Sequence, residues 1–505
     1  MKRFIYTMIL GGMLLTACTE DDSSLAHIDI SDIEIAEFNE DGYTVVSYAG
    51  NKLELVADVV SGYTDSQLVY TWYLIDLARE DRDRYDYSKV YDQEKIGEGK
   101  TLSYEVNLPP GEYSIVCEVK ADNGYTVTRT TTLYTITNFT TGHYILKETA
   151  DGNTDVDVYN EVEEKLIENV LTAVLGAPMS GKPLTMSMCF SHSYVDANSN
   201  EMSSTNIVSV ATEDNDFKTF STTDLSVIFD KTNLLYGEME ADERPYSIVS
   251  GMWTNYYFSS KGVRTQYSAS MSAGSGKYGV AAGEGASPFI TYHNSGMGVL
   301  LWDKTSHSIA YCDYNGGFSL VNDASMPTNG LTDYECIACG TNQFSGISPF
   351  LLQNKETGER KLYLMGASFM GPEIYEIRPL PVDSHLAQST KFSTCVTSAA
   401  YIYLIHDNVI YAYNLETGEE ETLTPKGLPA DAQITYISNQ YLNPNNFLVV
   451  GTQKNNEYTL YYYDIVGGKP DGDPQRVITG EGKVKSMRYT KAGLNTFVTV
   501  PPYMD

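Results

Sequence analysis

Between about Ile28 and Thr135 the chain alternates. Leu53, Leu55 and Ala57 are interleaved with Glu54, Val56 and Asp58, a period of two that predicts strands with one buried face. Tyr70-Thr71-Trp72-Tyr73-Leu74-Ile75 reads as a strand with a bulky aromatic at its centre. Pro109-Pro110-Gly111 makes a turn, Glu112 to Val119 alternates again, and Asp122-Asn123-Gly124 closes a tight hairpin before a last strand from Tyr125 to Leu133. About 100 residues of short strands around one tryptophan is what a β-sandwich of the immunoglobulin type requires. The reading places this sandwich at 25–136.

From Asn138 onward the pattern repeats. Seven candidate hairpins lie at 142–158, 205–222, 253–269, 298–313, 361–377, 401–413 and 446–464. The last two show the unit best: Tyr401 to Ile405, a His406-Asp407-Asn408 turn and Val409 to Tyr413, then Phe447 to Val450, a polar turn and Tyr458 to Tyr463. Seven units across 138–505 average about 53 residues, close to the ~50 of kelch-type blades, so the segment 137–505 is expected to be a seven-bladed β-propeller. A tandem of sandwiches requires a boundary every hundred residues or so, and no linker composition supplies one. One stretch departs from the strand pattern. In Glu161 to Leu175 the apolar residues Val162, Leu166, Ile167, Val170, Leu171 and Val174 recur at helical spacing, with Glu161, Glu163 and Glu164 where a helix dipole favours them. A short helix is expected there, or a buried strand at Val170 to Leu175.

The first residues follow a different logic. Lys2 and Arg3 precede an apolar run from Phe4 to Leu15, and Leu15-Thr16-Ala17-Cys18 supplies small residues before a cysteine. This is the layout of a secretory signal at 1–17, and the run is shorter than the ~20 residues a spanning helix requires. The cysteine makes the site resemble a bacterial lipobox, in which Cys18 becomes the acylated first residue of the mature chain. Thr19 to Ser24 then read as a polar tether within 18–24, with Glu20, Asp21 and Asp22 resembling the signal that carries lipoproteins to the outer face of the outer membrane. A solvated linker on the periplasmic side is the alternative.

Composition sharpens this picture. The 505 residues exceed what one hydrophobic core supports, so at least two domains are expected. Forty tyrosines against three tryptophans favour strands. The formal charge of −32 repels phosphate backbones and anionic headgroups, which excludes nucleic acid as a partner and leaves the lipid anchor as the membrane contact. Between the central strands of the sandwich, Asp76 to Lys95 mixes both charges with Tyr85, Tyr87 and Tyr91, a loop that either meets a partner or is simply solvated.

Candidate chemistry is sparse. Gly176 to Pro183 falls one residue short of a phosphate-binding loop, because Pro183 stands where a hydroxyl must reach magnesium. Gly274-Ser275-Gly276-Lys277-Tyr278-Gly279 spells a dinucleotide fingerprint without the βαβ context. Cys336 and Cys339 have CxxC spacing with no second pair, and read as strand cysteines. Asp151, Asn153, Asp155 and Asp157 alternate as the first ligands of a calcium loop do, but Val156 and Val162 stand where its glycine and bidentate glutamate belong. They are the one candidate metal set, for calcium, and no other cofactor is expected. There is no HExxH or GxSxG, and the seven histidines, from His27 to His406, are spread singly. No catalytic residue is assigned.

A lipobox, a sandwich and a propeller-like remainder in this order resemble the PKD-like lipoprotein family of gut-type Gram-negative bacteria. The residues carrying the resemblance are Leu15 to Cys18, Trp72 with Gly111 to Val119, Gly142 to Glu148 with Asp151 to Asp155, and Gly181-Lys182-Pro183. The chain departs from the PKD pattern in lacking an Asp-Gly turn after the tryptophan strand. The resemblance implies an accessory surface lipoprotein beside an outer-membrane TonB-dependent transporter and its substrate-binding lipoprotein, with a glycan or peptide as ligand. The competing readings are an extracellular propeller hydrolase or lyase acting on a polymer, and an adhesion or scaffold protein.

Overall fold

The computed structural model of the chain describes residues 33–491, apart from 48–49, 78–92, 197–199, 201, 252, 268–274, 293–297, 328–329, 369–370 and 443–444. Leu15 to Cys18, the tether, His27, His293, Gly274 and most of the charged loop from Asp76 to Lys95 lie outside the described residues. The protein is nearly all β, with 59% strand and 3% helix. By their contacts the residues fall into two units, one of 1–43, 52–105 and 112–133 and one of 44–51, 106–111 and 134–505.

The first unit is built on a sheet in which Thr126–Ile136, Gly111–Ala121, Leu68–Asp76 and Glu94–Glu98 lie side by side in that order. Trp72 is fully buried opposite Cys117 in register, and its indole N–H donates to the Gly99 carbonyl at 2.9 Å. A second layer pairs Lys52–Val56 with Thr101–Glu105, turning Leu53, Leu55 and Leu102 inward. The layers touch closely: a methyl group on Gly97 would stand 2.6 Å from Leu102 Cδ1. Alternation in Lys52–Val56 follows, since one face packs and the other meets water.

The second unit is a β-propeller of consecutive antiparallel sheets, seven among the described residues. Sheet I joins Gly142–Glu148, Thr154–Asn160 and Lys165–Ile167 to Lys483–Thr490, which returns from the far end of the chain. Sheet II runs from Pro183–Val195 to Val227–Asp230, sheet III from Pro245–Ser250 to Gly262–Tyr267, and sheet IV from Ile290–Tyr292 to Phe318–Leu320. Sheets V, VI and VII open with Tyr334–Cys339, Lys391–Thr394 and Gln433–Leu442 and end with Gly371–Pro379, Glu420–Leu423 and Lys469–Glu481. Each of the seven expected hairpins falls in a different sheet.

Neighbouring sheets share their cores. Leu146 and Val158 of sheet I pack with Met188 and Val208 of sheet II, and Leu300 and Trp302 of sheet IV pack with Phe350 and Leu352 of sheet V. The same holds around the ring to sheet VII, whose Val449 and Leu460 pack with Ile145 and Met487 of sheet I. Both faces of a middle strand are therefore buried, and Gly298–Asp303 is buried at every position. Such strands read as continuous apolar runs for this reason.

The helix is shorter than its periodicity suggests. Asn160 Oδ1 accepts from the Val162 and Glu163 amides, both at 2.8 Å, so Glu161 to Glu164 form a turn rather than a first helical turn. Lys165–Ile167 then form the outer strand of sheet I, and only Val170–Leu175 are helical. Glu164 and Asn169, at φ 51° and 56°, interrupt the helical backbone between them.

The seam between sheets VII and I also carries charge. Lys147 Nζ lies 2.6 Å from Asp157 Oδ1, both side chains are buried, and Tyr458 of sheet VII donates to Asp157 Oδ2 at 2.7 Å. Burial pushes the Asp157 carboxyl up, and Lys147 and Tyr458 pull it back. Alongside, Arg476 of sheet VII meets Glu161 Oε1 at 2.9 Å, and Tyr489 donates to Glu161 Oε2. Burial opposes ionisation of Glu161, but the donors from His143, Tyr489 and Arg476 outweigh it and bring its pKa down to about 2.

Two outcomes follow from this closure. A chain ending at Glu481 leaves Gly142–Glu148 with an unpaired edge in the core, and calorimetry should show loss of the propeller's cooperative melting. Asp157→Asn leaves the Lys147 charge buried without its counter-ion, and urea unfolding should report a loss of about 3–5 kcal/mol.

Candidate functional site

The first strand of sheets II to VII, and Lys483–Thr490 in sheet I, lies at the sheet's edge, and these strands neighbour one another: Pro183–Val195 touches Pro245–Ser250 and Lys483–Thr490, and Gln433–Leu442 touches Lys391–Thr394 and Lys483–Thr490. A cavity of about 170 Å³ opens among them. Its walls are Leu184 to Ser187 of sheet II, Ser247 of sheet III, Pro288 to Ile290 at the start of sheet IV, Ala338 and Cys339 of sheet V, and Lys485, Ser486 and Arg488 of sheet I. Five sheets contribute through their innermost strands, so the cavity lies on the propeller axis. The volume is well above the ~10–15 Å³ that one water occupies, enough for a group of several heavy atoms.

Polar side chains stitch these inner strands together. Ser187 Oγ donates to the Ile248 carbonyl at 2.9 Å, Thr291 and Thr341 share a hydroxyl contact, and the Asn439 amide N–H donates to Ser393 Oγ at 2.9 Å. Asn439 Oδ1 accepts from the Val396 N–H at 2.7 Å, and Gln440 Nε2 reaches the Met487 carbonyl at 3.3 Å. Two hydroxyls on the cavity wall are left over. Ser247 and Ser486, 5% and 3% exposed, have buried Oγ atoms without a protein partner. A buried hydroxyl in that state costs about 1–3 kcal/mol unless a water or ligand satisfies it.

The residues singled out in the sequence lie elsewhere. Asp155 Oδ1 accepts from the Leu171 N–H at 3.0 Å and Oδ2 from the Thr172 hydroxyl at 2.5 Å, so this carboxylate caps the short helix. Asp157 belongs to the pair with Lys147, Asn153 Oδ1 accepts from the Gly181 N–H at 3.3 Å, and Asp151 is exposed. The four are not brought around one point, and no group of three or more metal-binding side chains occurs among the described residues. Gly181, at φ 85°, passes so close to Asp214 that a Cβ would lie 2.6 Å from its Cγ, and Pro183 begins a strand. Cys336 and Cys339 are buried free thiols of one strand, pushed up by burial.

A set missed in the sequence has the composition of a thiol nucleophile with its base. Cys189 Sγ is 3.8 Å from His192 Nδ1, and Asn255 Nδ2 is 3.2 Å from the same nitrogen. Its electrostatics point the other way. All three are buried between sheets II and III, and burial pushes the Cys189 thiol up to about 12 and His192 down to about 4. At neutral pH the thiol keeps its proton and the imidazole is uncharged, so the set packs the core. Only the Cys-x-x-His spacing on one strand was visible in the sequence, because Asn255 arrives from the next sheet. The cationic wall of the cavity was likewise hidden, since Lys485 and Arg488 look like ordinary polar positions of a late strand.

No protein-family model and no curated protein matches the chain. Among solved structures it is similar to the dihydro-heme d1 dehydrogenase NirN in complex with DHE, at 10% identity and TM-score 0.38 over 71% of this chain and 76% of that one. It is also similar to apo AztD from Citrobacter koseri, at 12% identity and TM-score 0.37 over 70% and 96%. A third is the WD40 β-propeller domain of Doa1, at 11% identity and TM-score 0.34 over 64% and 89%.

His192 makes the buried set measurable. Its folded pKa of about 4 lies below the ~6.5 of an unfolded histidine, so its contribution is complete above pH 6.5 and is lost as the pH falls toward 4. Urea unfolding across that window should show a loss of about 3 kcal/mol in the parent that is missing in His192→Phe.

Proposed function

We propose that this chain is a surface lipoprotein of the outer membrane, anchored through Cys18, that binds a ligand without turning it over. The observation that carries the reading is the axial cavity, where an apolar wall meets a few polar groups, the composition of a small-molecule binding site. The ligand is a small unit of a glycan or peptide, presented to an outer-membrane TonB-dependent transporter and its substrate-binding lipoprotein. Tethering raises the local concentration of the propeller near that transporter, so modest affinities suffice. Among the described residues no helix is long and apolar enough to cross a membrane, and the lipid is the proposed attachment.

Fractionation of cells carrying Cys18→Ala should show the protein released from the membrane with its melting temperature unchanged. Incubating the mature protein with candidate oligosaccharides and peptides should show binding and no new products. Cleavage at ordinary enzyme rates would replace the binding reading with the hydrolase or lyase one.

A further inference from the structure

The cavity differs in charge from the rest of the molecule. A chain of net charge −32 places Lys485 and Arg488 on one wall of its axis, both from the strand Lys483–Thr490. A third cation, Lys391, opens the innermost strand of sheet VI. Burial, and then the charge of Lys485, push the pKa of Lys391 down. Among the described residues no carboxylate pairs with either lysine, although acidic residues outnumber basic ones by 66 to 34 in the whole chain. Elsewhere lysines take such partners readily: Lys261 meets Glu240 and Asp242, and Lys469 meets Glu421.

Lys485, which has no carboxylate partner among the described residues, lines the cavity together with the unpartnered hydroxyls of Ser247 and Ser486, an arrangement that an anion would complete. Leu184, Met186, Pro288 and Phe289 of the lining are apolar, so the anion has a carbon body to bury. An inorganic oxyanion would leave these side chains unused. We propose that the axial cavity takes a small organic carboxylate, its carboxyl group held by Lys485 and the hydroxyls of Ser247 and Ser486 and its body against Met186 and Phe289. The proposal rests on the binding reading and adds the ligand's chemistry. An acidic sugar and an acidic amino acid both present this group, and the cavity admits one such residue at a time.

Calorimetric titration of the full mature chain at low salt tests this with galacturonate, glutamate, inorganic phosphate and glucose. Galacturonate or glutamate should bind, and whichever binds identifies the source of the carboxylate. Lys485→Met should weaken it at least tenfold, Lys485→Arg should retain most of it, and binding should fall as salt rises. Lys454→Met removes the same charge from an exposed position far along sheet VII and should leave affinity unchanged. Thermal melting of each variant shows whether it is folded, so a loss of binding in a folded Lys485→Met protein counts for the proposal. Glucose binding as well as galacturonate, with no effect of Lys485→Met, would overturn the carboxylate proposal while leaving a binding cavity. Phosphate binding with no carboxylate binding would overturn it in favour of an inorganic anion. No binding by any of the four at millimolar concentrations would overturn the carboxylate proposal and remove the support that the cavity gives to the binding reading.

Discussion

The propeller depends on cores that belong to no single sheet. Leu300 and Trp302 have nothing to bury against without Phe350 and Leu352 of the next sheet, and Ile145 and Met487 have nothing without Val449 and Leu460 of the last. A ring built this way has no free face only if its ends meet. Lys483–Thr490 supplies that meeting, because the strand completes sheet I with residues from the far end of the chain. Closure through strand pairing removes an edge that would otherwise template association.

The same seam carries buried charge. Lys147, Asp157 and Tyr458 lie near one end of the sheet I strands, and Glu161, Arg476, Tyr489 and His143 near the other. Buried pairs of this kind add little net stability over apolar packing, but they penalise mispairing strongly, since a slipped register strands a charge. Sheets I and VII are joined by residues some three hundred positions apart, and a costly mismatch is one way to keep their register unique.

Toward the axis the interactions change from charge to short neutral contacts. Serine, threonine, asparagine and glutamine side chains link one inner strand to the next, which fixes their spacing and leaves a narrow cavity. Against that neutral lining Lys485 and Arg488 stand out. A basic place on the axis of an acidic protein is where the proposed discrimination by charge would occur.

How much of this the sequence contained depends on the range of each interaction. The period of two in Lys52–Val56, the apolar runs of the hairpins and the turns between them are local, and they were enough for an all-β chain with a propeller and for one hairpin in each of seven sheets. The helical spacing from Glu161 to Leu175 misled because the Asn160 side chain, a local signal of equal strength, ended the strand in a turn first. The alternating Asp151, Asn153, Asp155 and Asp157 misled differently: an extended strand spreads every second side chain along its length instead of wrapping them around one point, so Asp155 reached the helix while Asp157 reached Lys147. Which carboxylate meets which donor, which cysteine lies beside a histidine and which lysines face the axis were decided by sheets whose strands are far apart in the chain. Local spacing determines the strand, and only the closed ring determines what each strand's side chains meet.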